Sequence, residues 1–250
     1  MQSQALVQTP DAVKGDFKYH VAEPLDFENL NPHQAHSIIL RQVPAGVRVL
    51  DVGCATGYLG RFLTKERGCL VDGIEANHEA AHEASEYLRN VWVGNVDDEA
   101  TFDLVSEKYD VILCAAILEH LTNPELALER LSHLLAEDGV LIAGLPNVAH
   151  WSIRWSLLRG LWDYSDYGIL DRTHLHFYTL KTAKEMFESA GYVLNYLEVS
   201  DIGVGPLHSV LRLLPRGRIW LRNWLVNHFP NLFAFEIVLN VSLPRDNPRV

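Results

Sequence analysis

The sequence predicts an α/β protein in which a mostly parallel sheet is covered by helices on both faces, and three observations carry that expectation. Short apolar runs alternate with helical stretches along the middle of the chain, the pattern of strands buried on both sides. One of these runs, "VRVLDV", passes directly into a glycine-containing turn and then a helix, as strands do at the ligand-binding edge of such a sheet. Finally, 250 residues with 48% hydrophobic and 21% charged side chains suffice for one sizeable core with an appended subdomain.

The elements follow in order. The first thirty residues are polar and interrupted by Pro10, Pro24 and Pro32, so they read as a leading arm rather than part of the sheet; the arm can still cover a ligand, with Tyr19 as its candidate contact. Residues 33–42, "HQAHSIILRQ", form a short cap helix that ends before Pro44, which sets residues 1–44 apart from a domain running from 45 to 250. Within that domain the expected order is a strand at 47–52, a helix from about residue 58, a strand at 70–76, a helix at 78–88, and strands at 91–94 and 109–115. A helix at 124–136 and a strand at 139–146 come next. After Pro146 the rhythm gives way to an aromatic and helical insertion, 147–178. "LKTAKEMFESAGY" then supplies a helix stopped by Gly191, "VLNYLEVS" a strand, and "FAFEIVLNVSL" (233–243) the last strand.

Composition excludes several classes. A formal net charge of −11, with no long basic stripe in the first 150 residues, argues against nucleic acid as a partner. Cys54, Cys69 and Cys114 are odd in number and lack CxxC spacing, so a reducing cytoplasm and no zinc framework are expected. No charged and then apolar leader precedes a small-residue cleavage site, and no apolar run reaches the roughly 18 residues of a membrane span.

The most informative motif is "VLDVGCATGYLG", residues 49–60, in which a strand enters a turn containing Gly53, Ala55 and Gly57. Glycine there lets backbone amides approach a ligand at the carboxyl end of the strand. A dinucleotide fingerprint aligned on Gly53 would put Ala55 and Tyr58 at its second and third glycines, and Tyr58 is too large for the close helix contact that glycine permits. Glu75 ends the next strand, where a carboxylate can accept hydrogen bonds from both hydroxyls of a ribose. An adenosyl ligand without a pyrophosphate therefore suits the pattern better than a dinucleotide.

These residues resemble the class I S-adenosylmethionine-dependent methyltransferases, and within them a group that includes MetW-like proteins and methyltransferases of glycan and natural-product pathways. The resemblance covers about residues 45–200 and rests on five segments in order: "VLDVGCATGYLG", "GIEAN", "VGNVDD", "YDVILCAAILEHLTNPELALERLSHLLAEDGVLIAGLPN", and "HWSIRWSLLRG" followed by "DRTHLHFYT". It implies a Rossmann-like, doubly wound sheet of seven strands with the last antiparallel, and S-adenosylmethionine as cofactor. It also implies that Asp51, Gly53, Cys54, Ala55 and Gly57 surround the methionine part, that Glu75 and Ala76 meet the ribose, and that Asn95 and Val96 meet the adenine. Asn95 stands where the family often has an aspartate, and Asp97 is the nearby alternative. Ala115 and Ala116 would lie near the sulfonium and leave room for an acceptor.

Transfer of a methyl group to a hydroxyl is aided by a base that removes the proton, and histidine is suited to this near neutral pH. His120, His150, His174 and His176 are the candidates. His120 belongs to "LEHL", beyond the fourth strand of the domain. "EH" at this place resembles small-molecule O-methyltransferases, some of which hold a divalent ion with a further acid three positions earlier. Ala116 occupies that position, so no metal is expected. The segment "LDRTHLHFYT" concentrates Asp171, Arg172, His174, His176 and Tyr178 after a run of aromatics that includes Trp151 and Trp155. If it runs extended, the two histidines and Tyr178 share one face, where Asp171 could orient a histidine and Arg172 bind an acidic group. The same residues also suit a packed aromatic satellite core. Trp151, Trp155, Tyr178 and Tyr19 are the candidate acceptor contacts.

The segment 202–232 carries Arg212, Arg216, Arg218 and Arg222 among leucines and no acid, which suits a lid, a dimer surface or a face resting on anionic lipid. The expected function is O-methylation of a sugar, glycan or other small metabolite in the cytoplasm. Methylation at nitrogen or carbon, or a cofactor-binding partner role, are the alternatives, and the oligomeric state is unknown.

Overall fold

The computed structural model describes residues 6–8, 31–200 and 224–245. One mixed sheet organises the molecule. In chain order its strands are β1 (Leu6–Gln8), β2 (Arg48–Val52), β3 (Leu70–Glu75), β4 (Asn90–Val93), β5 (Tyr109–Ala115), β6 (Leu135–Pro146), β7 (Val193–Ser200) and β8 (Glu236–Ser242). Across the sheet they lie in the order β1-β4-β3-β2-β5-β6-β8-β7, parallel except for β8, which runs antiparallel to both neighbours. Seven of the eight are those expected from the sequence. The eighth, β1, corrects the reading of the arm as lying wholly outside the sheet: Leu6–Gln8 add parallel to the open edge of β4, with Val7 opposite Trp92. Three residues are too few to display an alternation, and pairing to an exposed edge needs only backbone.

Helices fill both faces. α1 (Ala35–Gln42), α2 (Tyr58–Arg67) and α3 (His78–Ala84) pack on one cluster with Val49, Val71, Leu113 and Ile142. α4 (Glu99–Asp103) follows β4. α5 (Pro124–Ser132) and α7 (Leu180–Ser189) cover the other face, where Leu50, Ile112, Leu141 and Leu239 meet Leu128, Leu131, Met186 and Phe187. α7 opens on a capping box between Thr179 and Thr182 and stops where Gly191 adopts φ +82°, as the sequence predicts. The helix expected at 124–136 ends earlier, because Leu135 already pairs with Tyr109 and a register shift carries the strand on to Val140. The last strand is likewise shorter than expected, since Pro230–Phe233 form α8.

The insertion 147–178 contains α6 (Trp151–Leu158) and a small core of its own, Ile153, Ile169 and Leu170 with Phe177 packed against it. In the 202–232 segment, residues 202–223 and their four arginines lie outside the described residues, as does Tyr19; residues 224–228 are helical. Among the described residues no helix is long and apolar enough to cross a membrane. All three cysteines are buried free thiols.

At the amino ends of the strands, Asp72 is fully buried and fully engaged: Arg89 grips both carboxylate oxygens, Tyr109 Oη donates at 2.8 Å, and Asn90 donates through backbone and side chain at 3.1 and 3.0 Å. At the opposite edge the chain order reverses between β2, which leads outward to β3 and β4, and β5, which leads outward to β6. A crevice forms at such a reversal, beyond the carboxyl ends of the two central strands.

Candidate active site

The first wall of the crevice is the turn after β2. Gly53 and Gly57 have φ of +70° and +75°, and Ala55 shares the left-handed region at +48°, a conformation that costs a non-glycine residue about 1 kcal/mol. The turn is held from below, where the amides of Gly53 and Cys54 both donate to Ile74 O at 2.8 and 3.0 Å. Gly57 is required twice over, since a Cβ there would also lie 3.0 Å from the backbone of Ala84 in α3. Glu75, fully buried, accepts from Ala55 N at 2.9 Å and from Asn77 N at 2.7 Å, so one carboxylate joins the loops after β2 and β3, with half-buried Ala76 between its own two anchors. Asp51 is different. It is buried, has no hydrogen bond or ion pair among the described residues, and is pushed up to about 7 by burial and then by neighbouring Glu75.

Beside this wall lies the loop after β4. The side-chain oxygen of Asn95 accepts from Asp97 N at 3.0 Å and its backbone oxygen from Thr101 Oγ1, while Val96 is buried. Asp97 is committed elsewhere: both its oxygens accept from Thr122 N at 3.0 Å, clamping the loop after β5.

The second wall follows β5. Ala115 is half-buried, and Ala116, exposed, has φ +57° with its amide on Gly144 O. Ile117 faces Gly53 so closely that a Cβ on that glycine would lie 2.8 Å from Ile117 Cδ1, which places the two walls in contact. A single 3-10 turn, Leu118–His120, then presents Glu119 and His120. The backbone oxygen of Glu119 accepts from both Leu175 N and His176 N, at 2.8 and 3.1 Å, and so lashes the insertion over the crevice.

That tether brings His174 to Glu119 and His120. The two imidazole rings meet edge to face with centroids 4.8 Å apart, and His174 Nε2 is 3.9 Å from Glu119 Oε1. Each ring is oriented through Nδ1. That of His174 lies 3.1 Å from Ile169 O; that of His120 lies 3.3 Å from Thr173 O and 3.0 Å from Thr173 Oγ1, which itself donates to Asp171 at 2.6 Å. A carbonyl only accepts, so Nδ1 carries the hydrogen and Nε2 is left with a lone pair. Burial holds both rings below the usual histidine range. Glu119 is buried with its Oε2 lacking a partner among the described residues, and its carboxyl is pushed up to about 8 by burial, with Glu236 and Asp171 adding to the shift. Glu236, at the head of β8, is itself raised by burial although Ser200 donates to it.

The remaining sequence candidates separate from this cluster. His150 caps α6 through Ser152, packs against Phe235, and is lowered to about 4 by burial. His176 stacks on Tyr178. Arg172 is exposed and paired with Asp166 rather than with Asp171. Trp151 Nε1 and Tyr178 Oη are buried without partners, whereas Trp155 is 57% exposed. The expectation that "LHFY" alternates like a strand is corrected: the stretch is irregular apart from a bridge between Tyr178 and Asn147, and His174 packs against Phe177 instead of opposing it. The expectation of too few metal donors weighed only Glu119 and His120; the insertion supplies a third donor, and the ligand atoms of the three residues lie within 4.8 Å of one another. Sequence reasoning missed Thr173 and Glu236; the lone acid opening the apolar run "EIVLNV" was a signal for the second.

Comparisons with known proteins agree with this architecture. A family profile described as "methyltransferase domain" matches residues 27–197. The chain is 28% identical over 143 residues to a ubiquinone biosynthesis O-methyltransferase of Glaesserella parasuis, covering 54% of this chain and 57% of that protein. It is 31% identical over 114 residues to an (S)-tetrahydroprotoberberine N-methyltransferase of Eschscholzia californica, covering 44% and 32%. A 2-methyl-6-phytyl-1,4-hydroquinone methyltransferase of Synechocystis is 24% identical over 82% of this chain and 68% of its own length. The matches thus span about half or less of the first two relatives. Among solved structures, a SAM-dependent methyltransferase from Archaeoglobus fulgidus superposes with a TM-score of 0.55 at 16% identity, covering 83% of this chain and 94% of that one. One from Geobacter sulfurreducens, in complex with S-adenosyl-L-homocysteine, gives 0.52 at 15% identity over 86% and 93%.

Proposed function

The chain belongs to the methyltransferase-domain family, of the class I S-adenosylmethionine-dependent kind, and from that premise we propose that it transfers a methyl group from S-adenosylmethionine to a hydroxyl of a small molecule. The observation that carries this reading is the difference between the two walls that meet at Gly53 and Ile117: the acids Asp51 and Glu75 on one, the imidazoles of His120 and His174 gathered at Glu119 on the other.

The first wall suits the cofactor. Glu75 presents a buried carboxylate where ribose hydroxyls would donate, the left-handed turn from Gly53 to Gly57, its amides spent on Ile74, Glu75 and Cys54, leaves its glycine faces open to the close approach of the methionine part, and Asp51 offers a carboxylate to the methionine ammonium. Cys54, Ala55 and Ala76 line the same turns, and Asn95 and Val96 flank the adenine side. Asp97, spent on the loop after β5, is withdrawn from that role. Bound there, S-adenosylmethionine supplies a methyl group on a positively charged sulfur whose departure leaves a neutral thioether.

The second wall suits the acceptor. Ala115 and Ala116 leave space beside the sulfur, and the Nε2 lone pairs of His120 and His174 receive the hydroxyl proton, with Asp171 acting on His120 through Thr173. Trp151 Nε1 and Tyr178 Oη are unpaired polar atoms available for recognition. Exposed Trp155, Leu158 and Tyr167 favour an acceptor with an apolar ring or chain. Relatives named for ubiquinone biosynthesis and for a phytyl hydroquinone support an acceptor of that kind; sugars and glycans stay within the reading, and the N-methyltransferase relative makes an amine the second candidate.

The test is transfer of isotopic label from S-adenosylmethionine to a panel of catechols, hydroquinones, sugars and amines. Labelled ether products support the proposal, and labelled amines alone overturn the hydroxyl assignment. At saturating cofactor, His120→Ala and His174→Ala should each lower kcat about tenfold or more; if neither does, the imidazole role is wrong.

A further inference from the structure

We propose that Glu119, His120 and His174 bind one divalent transition-metal ion of the zinc class, in preference to magnesium. Four observations converge. The three ligand atoms lie within 4.8 Å of one another. The carboxylate is buried and its Oε2 has no hydrogen-bond partner, an arrangement costly to keep unless something charged completes it. Both imidazoles give Nδ1–H to oxygen acceptors, His174 to Ile169 O and His120 to Thr173, which fixes their tautomers with a lone pair on Nε2, as outer partners of metal-bound histidines do, and His174 Nε2 lies 3.9 Å from Glu119 Oε1. Asp171 then orients Thr173, adding a further layer behind His120.

The donor set decides the ion. Two imidazoles and one carboxylate suit Zn2+, and equally Fe2+, Co2+ or Mn2+, while Mg2+ favours oxygen ligands and retains water. Ligand bonds of about 2.1 Å imply ligand–ligand spacings near 3.4 Å in a tetrahedron, so the rings must close by roughly 1 Å. Three protein ligands leave one position open, as metal sites that act on a substrate do. His174 comes from the insertion and Glu119 with His120 from the loop after β5, so the ion would also pin the insertion to the sheet. Binding itself stands on this geometry and occupies the same Nε2 lone pairs, so in the loaded protein the ion in place of an imidazole would hold the acceptor oxygen and ease loss of its proton; that role rests on the methyl-transfer reading above.

The experiment is uptake of the metal alone. Protein stripped with chelator is titrated with ZnCl2 by calorimetry, and with CoCl2 by visible absorption. One equivalent per chain is expected, with cobalt bands of a four-coordinate N/O site and no competition from a large excess of MgCl2. His174→Ala and Glu119→Gln should each weaken uptake at least tenfold, whereas His176→Ala, altering the adjacent histidine outside the cluster, should bind as the unaltered chain does. Circular dichroism of each metal-free variant establishes that it folds. Failure of the stripped wild type to take up either ion, or uptake undiminished in a folded His174→Ala, overturns the proposal. Methyl transfer is assayed separately on stripped and loaded protein: uptake without turnover of any acceptor removes the catalytic reading and leaves the site, while turnover without uptake does the reverse.

Discussion

The two ends of the sheet treat buried acids in opposite ways. At the amino ends Asp72 is saturated by Arg89, Asn90 and Tyr109. At the carboxyl edge Asp51 has no partner, Glu119 has an orphan oxygen, and burial raises Asp51, Glu119 and Glu236 alike. Asp72 is as deeply buried as Asp51 and Glu119, so burial alone does not explain the difference. A fold that satisfies its buried charges where nothing binds, and leaves them unsatisfied at the edge where ligands bind, holds part of its stability in reserve for the complex.

Four substitutions probe this contrast, in decreasing order of expected effect. Asp72→Ala leaves Tyr109 Oη and the Asn90 donors without their acceptor, while Arg89 keeps only Glu107, and should cost about 2–3 kcal/mol of stability, read as a lower denaturation midpoint. If the loss is under about 1 kcal/mol, the saturated end is not what stabilises the sheet.

Asp51→Asn should act in the other direction. Because the folded state raises the Asp51 carboxyl from 3.8 to about 7, ionisation penalises folding increasingly as pH rises across that interval and by a constant amount above it. The asparagine is free of this cost but leaves an amide unpaired, so a net gain of about 1–2 kcal/mol is expected above neutrality. Thermal midpoints of both proteins should therefore diverge between pH 4 and 7 and run parallel beyond; midpoints that stay parallel throughout would remove the strained-acid interpretation. Affinity for S-adenosylmethionine should fall in the same variant.

Glu75→Gln keeps the side-chain size but loses the charge that strengthens its hydrogen bonds, and calorimetry should show S-adenosylmethionine binding weakened roughly tenfold or more. Unchanged affinity counts against the ribose assignment. The smallest effect belongs to Arg172→Ala. Arg172 and Asp166 are both largely exposed, so their pair should contribute under about 1 kcal/mol, and kcat should hold if Arg172 takes no part in recognition.

The cofactor half of the site was legible in the sequence because its determinants are local: "VLDVGCATGYLG" contains the strand, the turn and the helix start, and Glu75 ends the next strand. The acceptor half was legible only as a collection. His120 and His174 were both singled out, but their meeting depends on a tether between Glu119 and the amides of Leu175 and His176, a contact between backbone groups that no side-chain pattern encodes. His150 and Arg172 looked equivalent to the others in sequence; a capping bond and an exposed ion pair distinguish them only once the chain is folded. The same reason explains β1, whose attachment uses the open edge of β4 rather than any property of its own three residues.

One peptide oxygen, that of Glu119, accepts two amides from the insertion, so the acceptor-facing loop is tied to the chain that follows β5. An opening that leaves this clasp intact carries His174 along with His120, changing the width of the entrance more than the separation of the two rings. Insertions of different length could be exchanged around that clasp, retuning which compounds enter without rebuilding the chemistry beneath.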